Sequence, residues 1–370
     1  MNTLKLKNIT HNYFGGERPT LNSVSATFES GLNCIFGLSE SGKSTLAKVI
    51  CGIEKFEGEI FLNDNPIATS IKEKDISALL WDMGLKKHRT GNYNLIYPLK
   101  IRKVPPVEAN AKCQAIARFF SIGGAILENT PFHLSKGENA RLALARAFIR
   151  ESKIKVFDNP FAGLPSTERR ELFDLFIKAC SMYPDCIIIY ATDDIDEACC
   201  AKNKILFLSD GYALAQDYFI NLETKPPHID IKKSFCPFGS IYPVKLTADC
   251  SFILHTENPN LEEDEEYIPI FTNAFKFKGK LIDDSYLGRI VNAFIPPCRV
   301  IQREDGIKFE VKGFLRKGKE GFVLLENENN YLYIKDTGEM KIGDLISIAI
   351  TSPYLFDMVN GRSILNYEEN

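Results

Sequence analysis

Gly37-Leu38-Ser39-Glu40-Ser41-Gly42-Lys43-Ser44, followed by Thr45, narrows the possible folds of this chain more than any other stretch. Two glycines with four residues between them, then lysine and a hydroxyl side chain, describe a main chain that wraps an anion. The glycines let the backbone pass close to a phosphate, and successive N–H groups point inward as a nest. Leu32-Asn33-Cys34-Ile35-Phe36 ahead of the loop reads as a buried strand, and Lys43 to Cys51 behind it reads as a helix closed by Gly52. Such a helix turns its positive end toward the same anion. Lys43 is therefore expected to reach the β- and γ-phosphates of a nucleotide, with Ser44 as a Mg2+ ligand.

The loop needs a second oxygen ligand for its metal. Lys153-Ile154-Lys155-Val156-Phe157-Asp158 offers Asp158 at the end of a strand, with Asn159-Pro160 behind it. Short apolar runs alternate with amphipathic helical patterns to about residue 215, which implies an α/β domain. From Pro105 to Arg150 the pattern is mostly helical, and Leu172, Phe173, Leu175, Phe176 and Ala179 share a helical face. Cys186 to Tyr190 and Ile205 to Leu208 read as strands, with Ser209-Asp210-Gly211 as a hairpin turn. Beyond Lys225-Pro226-Pro227 the character changes. Short strands at Ile307–Val311, Phe322–Leu325, Tyr331–Ile334 and Leu345–Ile350 suggest a small β-barrel. The acidic run at Glu262 to Glu266 reads as a solvated loop.

Composition excludes more than it selects. A net charge of −3 over 370 residues gives no broad electrostatic grip on nucleic acid or acidic lipid. The apolar runs are far shorter than the ~20 residues a helical membrane span needs, so a membrane role is expected to come through a partner. The first residues lack the apolar stretch of a secretory signal. Ten cysteines show no metal-ligand spacing, and reduced thiols are expected. The histidines are dispersed and form no ligand cluster.

Leu134-Ser135-Lys136-Gly137-Glu138, then Arg141 and Ala143-Leu144-Ala145-Arg146-Ala147, resembles the signature motif and following helix of ATP-binding-cassette (ABC) ATPases. The order of phosphate loop, signature, Asp158-x-Pro160 and Thr192-x-Asp194 fits that family over roughly residues 1–220. The resemblance implies a mixed α/β P-loop cassette at 1–222, with a helical subdomain at about 85–150. It implies ATP and Mg2+ as ligands, bound by Gly37 to Thr45 with Asp158. It also implies that Ser135 and Gly137 clasp the γ-phosphate on a second, facing subunit. Tyr13, before Phe14-Gly15-Gly16, resembles the aromatic residue that stacks on adenine. Ile342 to Ile346, Tyr354 to Asp357 and Asn360-Gly361 resemble the closing strands of a transport-associated OB-type domain. Residues 223–240 are then a linker and 241–370 that regulatory and dimerisation domain, as in importer ATPases of the sugar, glycerol-phosphate, polyamine, iron and sulfate group. The implied partners are transmembrane permease subunits, a second cassette and, indirectly, a substrate-binding protein, with no nucleic acid. The implied location is peripheral, on the cytoplasmic face of the membrane.

Departures from the family pattern concern hydrolysis. Asn159 stands where the family has the glutamate that activates water, and an amide cannot accept a proton at neutral pH. Asp193 stands where the family has a switch histidine, and its charge opposes a γ-phosphate. Asp82 aligns with the glutamine that joins Mg2+ to the permease, and Ala162-Gly163-Leu164-Pro165 replaces the interface loop that carries aspartate. Residues that bind nucleotide are kept, and those that break it are changed. The favoured reading is a hydrolysis-impaired subunit paired with an intact cassette. A slow but active homodimer and a non-hydrolysing nucleotide sensor are the alternatives.

Overall fold

Alternation of inward apolar and outward polar residues starts the chain as a strand. In Thr3–His11, Leu4, Leu6 and Ile9 are buried, and the spacing slips by one at Asn8, whose φ of 51° accompanies a bulge. This strand lies between Leu21–Glu29 and Glu57–Leu62, with Asn65–Pro66 at the edge. In this computed structural model the described residues are 1–16, 18–72, 75–80, 84–246, 251–254, 275–276, 280–317, 320–327 and 330–366. They divide into two compact units, Met1–Phe219 and Ile220–Asn370.

The second sheet of the first unit reads differently in sequence because both its faces are covered. Its order is Tyr212–Asp217, Ile205–Ser209, Gly31–Phe36, Ile187–Thr192, Ile154–Asp158 and Ile76–Leu79, parallel except for the first pair. One face meets the antiparallel sheet and the helix Lys43–Ile50 through Leu6, Phe28, Leu46, Ile35 and Ile189. The other meets the helices Lys136–Phe148 and Ser166–Ser181. Phe148, Phe157, Phe176 and Tyr190 form an aromatic block there, with neighbouring ring centroids 4.9–5.1 Å apart. Burying each such side chain contributes about 1.5–3 kcal/mol. The hairpin joining the first two strands turns on Asp210 (φ 47°) and Gly211 (φ 79°), the left-handed pair that a two-residue turn requires.

Helices Gly91–Ile101, Pro106–Phe119 and Gly124–Glu128 precede the helix Lys136–Phe148 and complete the helical part. Lys155 is buried in the strand beyond it. Its ammonium donates to the Ala147 and Arg150 carbonyls at 3.2 and 2.5 Å and to Ser152 Oγ at 3.1 Å, collecting carbonyls freed where the preceding helix ends.

The second unit is built of antiparallel strands. Ser240–Leu246, Ser251–Leu254, Phe275–Lys276, Ile290–Ile295 and Tyr354–Phe356 form one sheet, and Val300–Lys317, Glu320–Asn327, Asn330–Lys335 and Leu345–Ile350 another. Val244, Val291, Phe309, Val323 and Ile348 draw both sheets onto one core. Residues 223–240, read as a linker from sequence, fall within the second unit. They include the helix Ile229–Phe235, whose first turn His228 caps by accepting from the Asp230 N–H at 3.2 Å. Ile229 holds the helix in the unit by packing with Phe294 and Phe356. The acidic run Glu262 to Glu266 lies outside the described residues. Among the described residues the cysteines are free thiols, and no helix is long and apolar enough to cross a membrane.

Candidate nucleotide site

Strand register assembles the site. Phe36 pairs with Thr192 and Asp158 with Ala191, so three adjacent parallel strands end together. Gly37, Asn159 and Asp193 thereby leave the same edge of the sheet, the edge where open α/β sheets bind ligands. Gly37 is fixed by space: a Cβ there would lie 2.3 Å from the Leu208 carbonyl oxygen and 2.5 Å from Ser41 Oγ. Gly42 is fixed by conformation, with φ at 98° and the Thr20 carbonyl 2.8 Å from any added Cβ. No side chain caps the helix that follows, which leaves its first N–H groups for an anion.

Lys43 is buried, and its ammonium donates to the carbonyls of Gly37 at 2.6 Å and Leu38 at 2.8 Å and to Ser41 Oγ at 3.3 Å. Burial pulls its pKa below the ordinary lysine value, and the charges of Asp193 and then Asp158 oppose that pull. Ser44 Oγ donates to Asp158 Oδ1 at 3.0 Å. Asp158 Oδ2 is buried without a hydrogen-bond partner, and burial raises this carboxyl's pKa against the Ser44 hydrogen bond. An unpaired buried carboxylate oxygen is costly, and a hard divalent ion satisfies it. The hydroxyl and carboxylate of Ser44 and Asp158 thus suit Mg2+, whose other ligands are ordinarily waters and phosphate oxygens. Among the described residues no group of three or more His, Cys, Asp or Glu side chains could hold a metal alone.

Asn159 and Asp193 touch. Asn159 adopts a left-handed φ of 43°, anchors its N–H on the Ala191 carbonyl at 2.9 Å, and donates from Nδ2 to Asp193 Oδ1 at 3.3 Å. Its Oδ1 is buried and unpartnered. Asp193 itself is exposed. Behind it, buried Glu197 accepts from Arg169 Nε at 2.6 Å, from Thr192 Oγ1 at 2.8 Å and from the Tyr190 hydroxyl. Arg169 also pairs with Asp194 at 3.2 Å. Sequence reasoning missed this network. Glu197 in the turn after Thr192-Asp193-Asp194 was the available signal, but nothing local points to Arg169.

The remaining expected residues are dispersed. Tyr13 lies at the loop's rim, its hydroxyl 3.3 Å from Thr45 Oγ1 and its ring partly exposed. Leu38 is exposed at the tip, beside Ser39 and Glu40. Ser135 caps the helix Lys136–Phe148 in a capping box: Glu138 N–H donates to Ser135 Oγ at 3.2 Å, and Ser135 N–H donates to Glu138 Oε2 at 2.8 Å. Among the described residues no hydrogen bond joins Leu134, Ser135, Lys136, Gly137 or Glu138 to the phosphate loop. Pro165, at the end of Ala162-Gly163-Leu164-Pro165, opens the helix Ser166–Ser181. Asp82 lies outside the described residues.

Comparisons with known proteins agree with this geometry. The family model described as "ABC transporter" matches residues 21–162. The chain is 30% identical over 214 residues to a protein named sn-glycerol-3-phosphate import ATP-binding protein UgpC from Bordetella avium, covering 57% of this chain and 58% of the relative. It is 32% identical over 216 residues to the protein of the same name from Burkholderia pseudomallei, covering 58% and 59%. The chain thus spans less than two thirds of the length of these curated relatives. A solved dimeric structure titled MJ0796, a bacterial ABC transporter cassette, superposes with a TM-score of 0.53 at 24% identity, covering 58% of this chain and 98% of that one. This shared fold, the family match and the assembled phosphate loop identify the first unit of this chain as an ABC transporter ATP-binding domain.

Proposed function

We propose that this chain is the ATP-binding subunit of an ABC-type importer, taking Mg-ATP at an interface between two cassettes. The carrying observation is the phosphate loop itself, a cradle that admits no Cβ at Gly37, with Lys43 inside it and Ser44 bonded to Asp158. The loop N–H groups and Lys43 hold the phosphates, while Ser44 and Asp158 hold the metal. Bound Mg2+ neutralises charge on the phosphate oxygens. Tyr13 faces the base, and Ser135 and Gly137 complete the site of a facing subunit. Binding that favours the closed pair then shifts the attached permease. The names of the UgpC relatives support import as the direction. The second unit acts as an OB-type regulatory and dimerisation domain, and the assembly lies peripherally on the cytoplasmic face of the membrane.

Hydrolysis at this chain's own site is weak, because Asn159 cannot take a proton from water, and loss of a positioned base costs ~10²–10⁴ in rate. An intact partner cassette supplies the turnover. Calorimetry on the full chain with Mg-ATP, together with phosphate release, tests both parts. Binding with little release is expected, and release should rise in an Asn159→Glu/Asp193→His double variant. No binding by the chain or its complex removes the proposal, and brisk release by the unaltered chain alone removes the weak-site part.

A further inference from the structure

We propose that Asp193, seated by Asn159 at the end of its strand, is a specificity-determining residue that biases this site toward a nucleoside diphosphate over the triphosphate. The inference rests on the nucleotide-binding reading above and concerns which phosphate chain the site prefers. Register places the carboxylate. Thr192 lies beside Phe36, so Asp193 follows its strand where Gly37 opens the phosphate loop on the neighbouring one. Asn159, at the end of the third strand, donates to Asp193 Oδ1 at 3.3 Å and ties the acid to this edge.

The two acids of the switch differ in what neutralises them. Asp194 accepts from the N–H groups of Asp196 and Glu197 at 2.9 and 3.3 Å and pairs with Arg169 at 3.2 Å. Among the described residues Asp193 makes no ion pair. Its charge acts on the Lys43 ammonium more strongly than that of buried Asp158, which Ser44 touches. A diphosphate held by the loop N–H groups and Lys43 ends near that ammonium. A third phosphoryl group extends the chain past it, adding negative charge next to a carboxylate that shares the Lys43 ammonium with the phosphates. With an effective dielectric constant of about 20 and a separation of roughly 8 Å, one extra like-charge contact weakens binding by about tenfold or more.

Titration calorimetry on the full chain with ADP and with ATP, each in EDTA and in Mg2+, reads this directly. Asp193→Asn keeps an oxygen to accept from Asn159 while removing the charge. It should tighten ATP by about tenfold and leave ADP within about threefold. Asp194→Asn, which preserves the helix cap, should leave the ADP-to-ATP ratio unchanged. An unchanged ratio in Asp193→Asn while both nucleotides bind overturns this inference alone. An equal shift in Asp194→Asn also overturns it, because net charge rather than position would then be responsible. Failure of either nucleotide to bind the unaltered chain removes the nucleotide reading and this inference together.

Discussion

Arg169 Nε donates to Glu197 Oε1 at 2.6 Å across 28 positions of sequence, and through that bond the helix Ser166–Ser181 holds the turn behind Asp193. Glu197 is 7% exposed, and its other oxygen accepts from Thr192 and Tyr190. Removing Arg169 leaves a buried carboxylate with hydroxyl donors only. Breaking a buried pair costs ~3–5 kcal/mol, and the partial exposure of Arg169 brings the expectation for Arg169→Met down to about 2 kcal/mol. Urea denaturation followed through the first unit should show the midpoint falling. A midpoint that does not move would mean the bond contributes nothing.

This network also shows where sequence reasoning stops. The phosphate loop and the strand before Asp158 were legible because each is a local pattern, glycine spacing and an apolar run, whereas Leu134 to Glu138 was legible only through its resemblance to a known motif. The identities of Asn159 and Asp193 were legible too, and the sequence already marked them as changed. Their mutual hydrogen bond was not, since it depends on strands ending side by side, and strand order leaves no trace in local periodicity. Arg169 reads as one more charged residue near the start of a helix. Residues 223–240 were read as a linker from Pro226-Pro227 and a change of composition, and so short a span gave no periodicity to reveal the seven-residue helix Ile229–Phe235. That helix is held by long-range packing with Phe294 and Phe356.

Lys155 carries a pH dependence whose sign can be worked out. Burial lowers its pKa from 10.5 to about 8, so between those values the unfolded chain binds more protons than the folded one. Stability therefore rises with pH across that window. The cost of burying the ammonium is fully present below pH 8 and gone above 10.5. The gain is on the order of 3 kcal/mol. Comparing unaltered chain with Lys155→Met from pH 7 to 10.5 isolates it from other titrations. The difference between the two should shift in favour of the unaltered chain as pH rises. A difference that stays flat across the window rules this account out.

Gly37 and Gly137 should respond differently to alanine. At Gly37 the added Cβ meets the Leu208 carbonyl, which is backbone and cannot yield without moving its strand. Gly37→Ala should weaken nucleotide binding by tenfold or more and cost about 1–3 kcal/mol of stability. At Gly137 the Cβ meets only the carboxylate tip of Glu168, which can swing away. Alanine in a helix gains roughly 0.5–1 kcal/mol over glycine. Gly137→Ala should thus leave both the stability and the nucleotide affinity of the isolated chain nearly unchanged. Thermal shift with and without Mg-ATP compares the pair, and a similar loss of affinity in both would contradict the distinction.

Ser135 separates what the signature turn does for its own chain from what it does for a neighbour. Its hydroxyl closes a capping box with Glu138, so replacement by a side chain that cannot cap, such as Ala or Arg, loses about 1 kcal/mol of helix stability. The position is exposed, and no described hydrogen bond links it to this chain's phosphate loop. Ser135→Arg should accordingly leave the chain folded and its own nucleotide affinity intact. If the turn completes a facing site, the arginine projects into the partner's phosphate cradle and blocks closure. Turnover of a mixed complex with an intact cassette should then fall by tenfold or more, an effect far larger than a lost cap explains. Ser135→Ala is the control for the cap, sharing its small stability loss without adding bulk. Undiminished turnover with Ser135→Arg would place the signature turn outside the partner's site and leave it a purely structural cap.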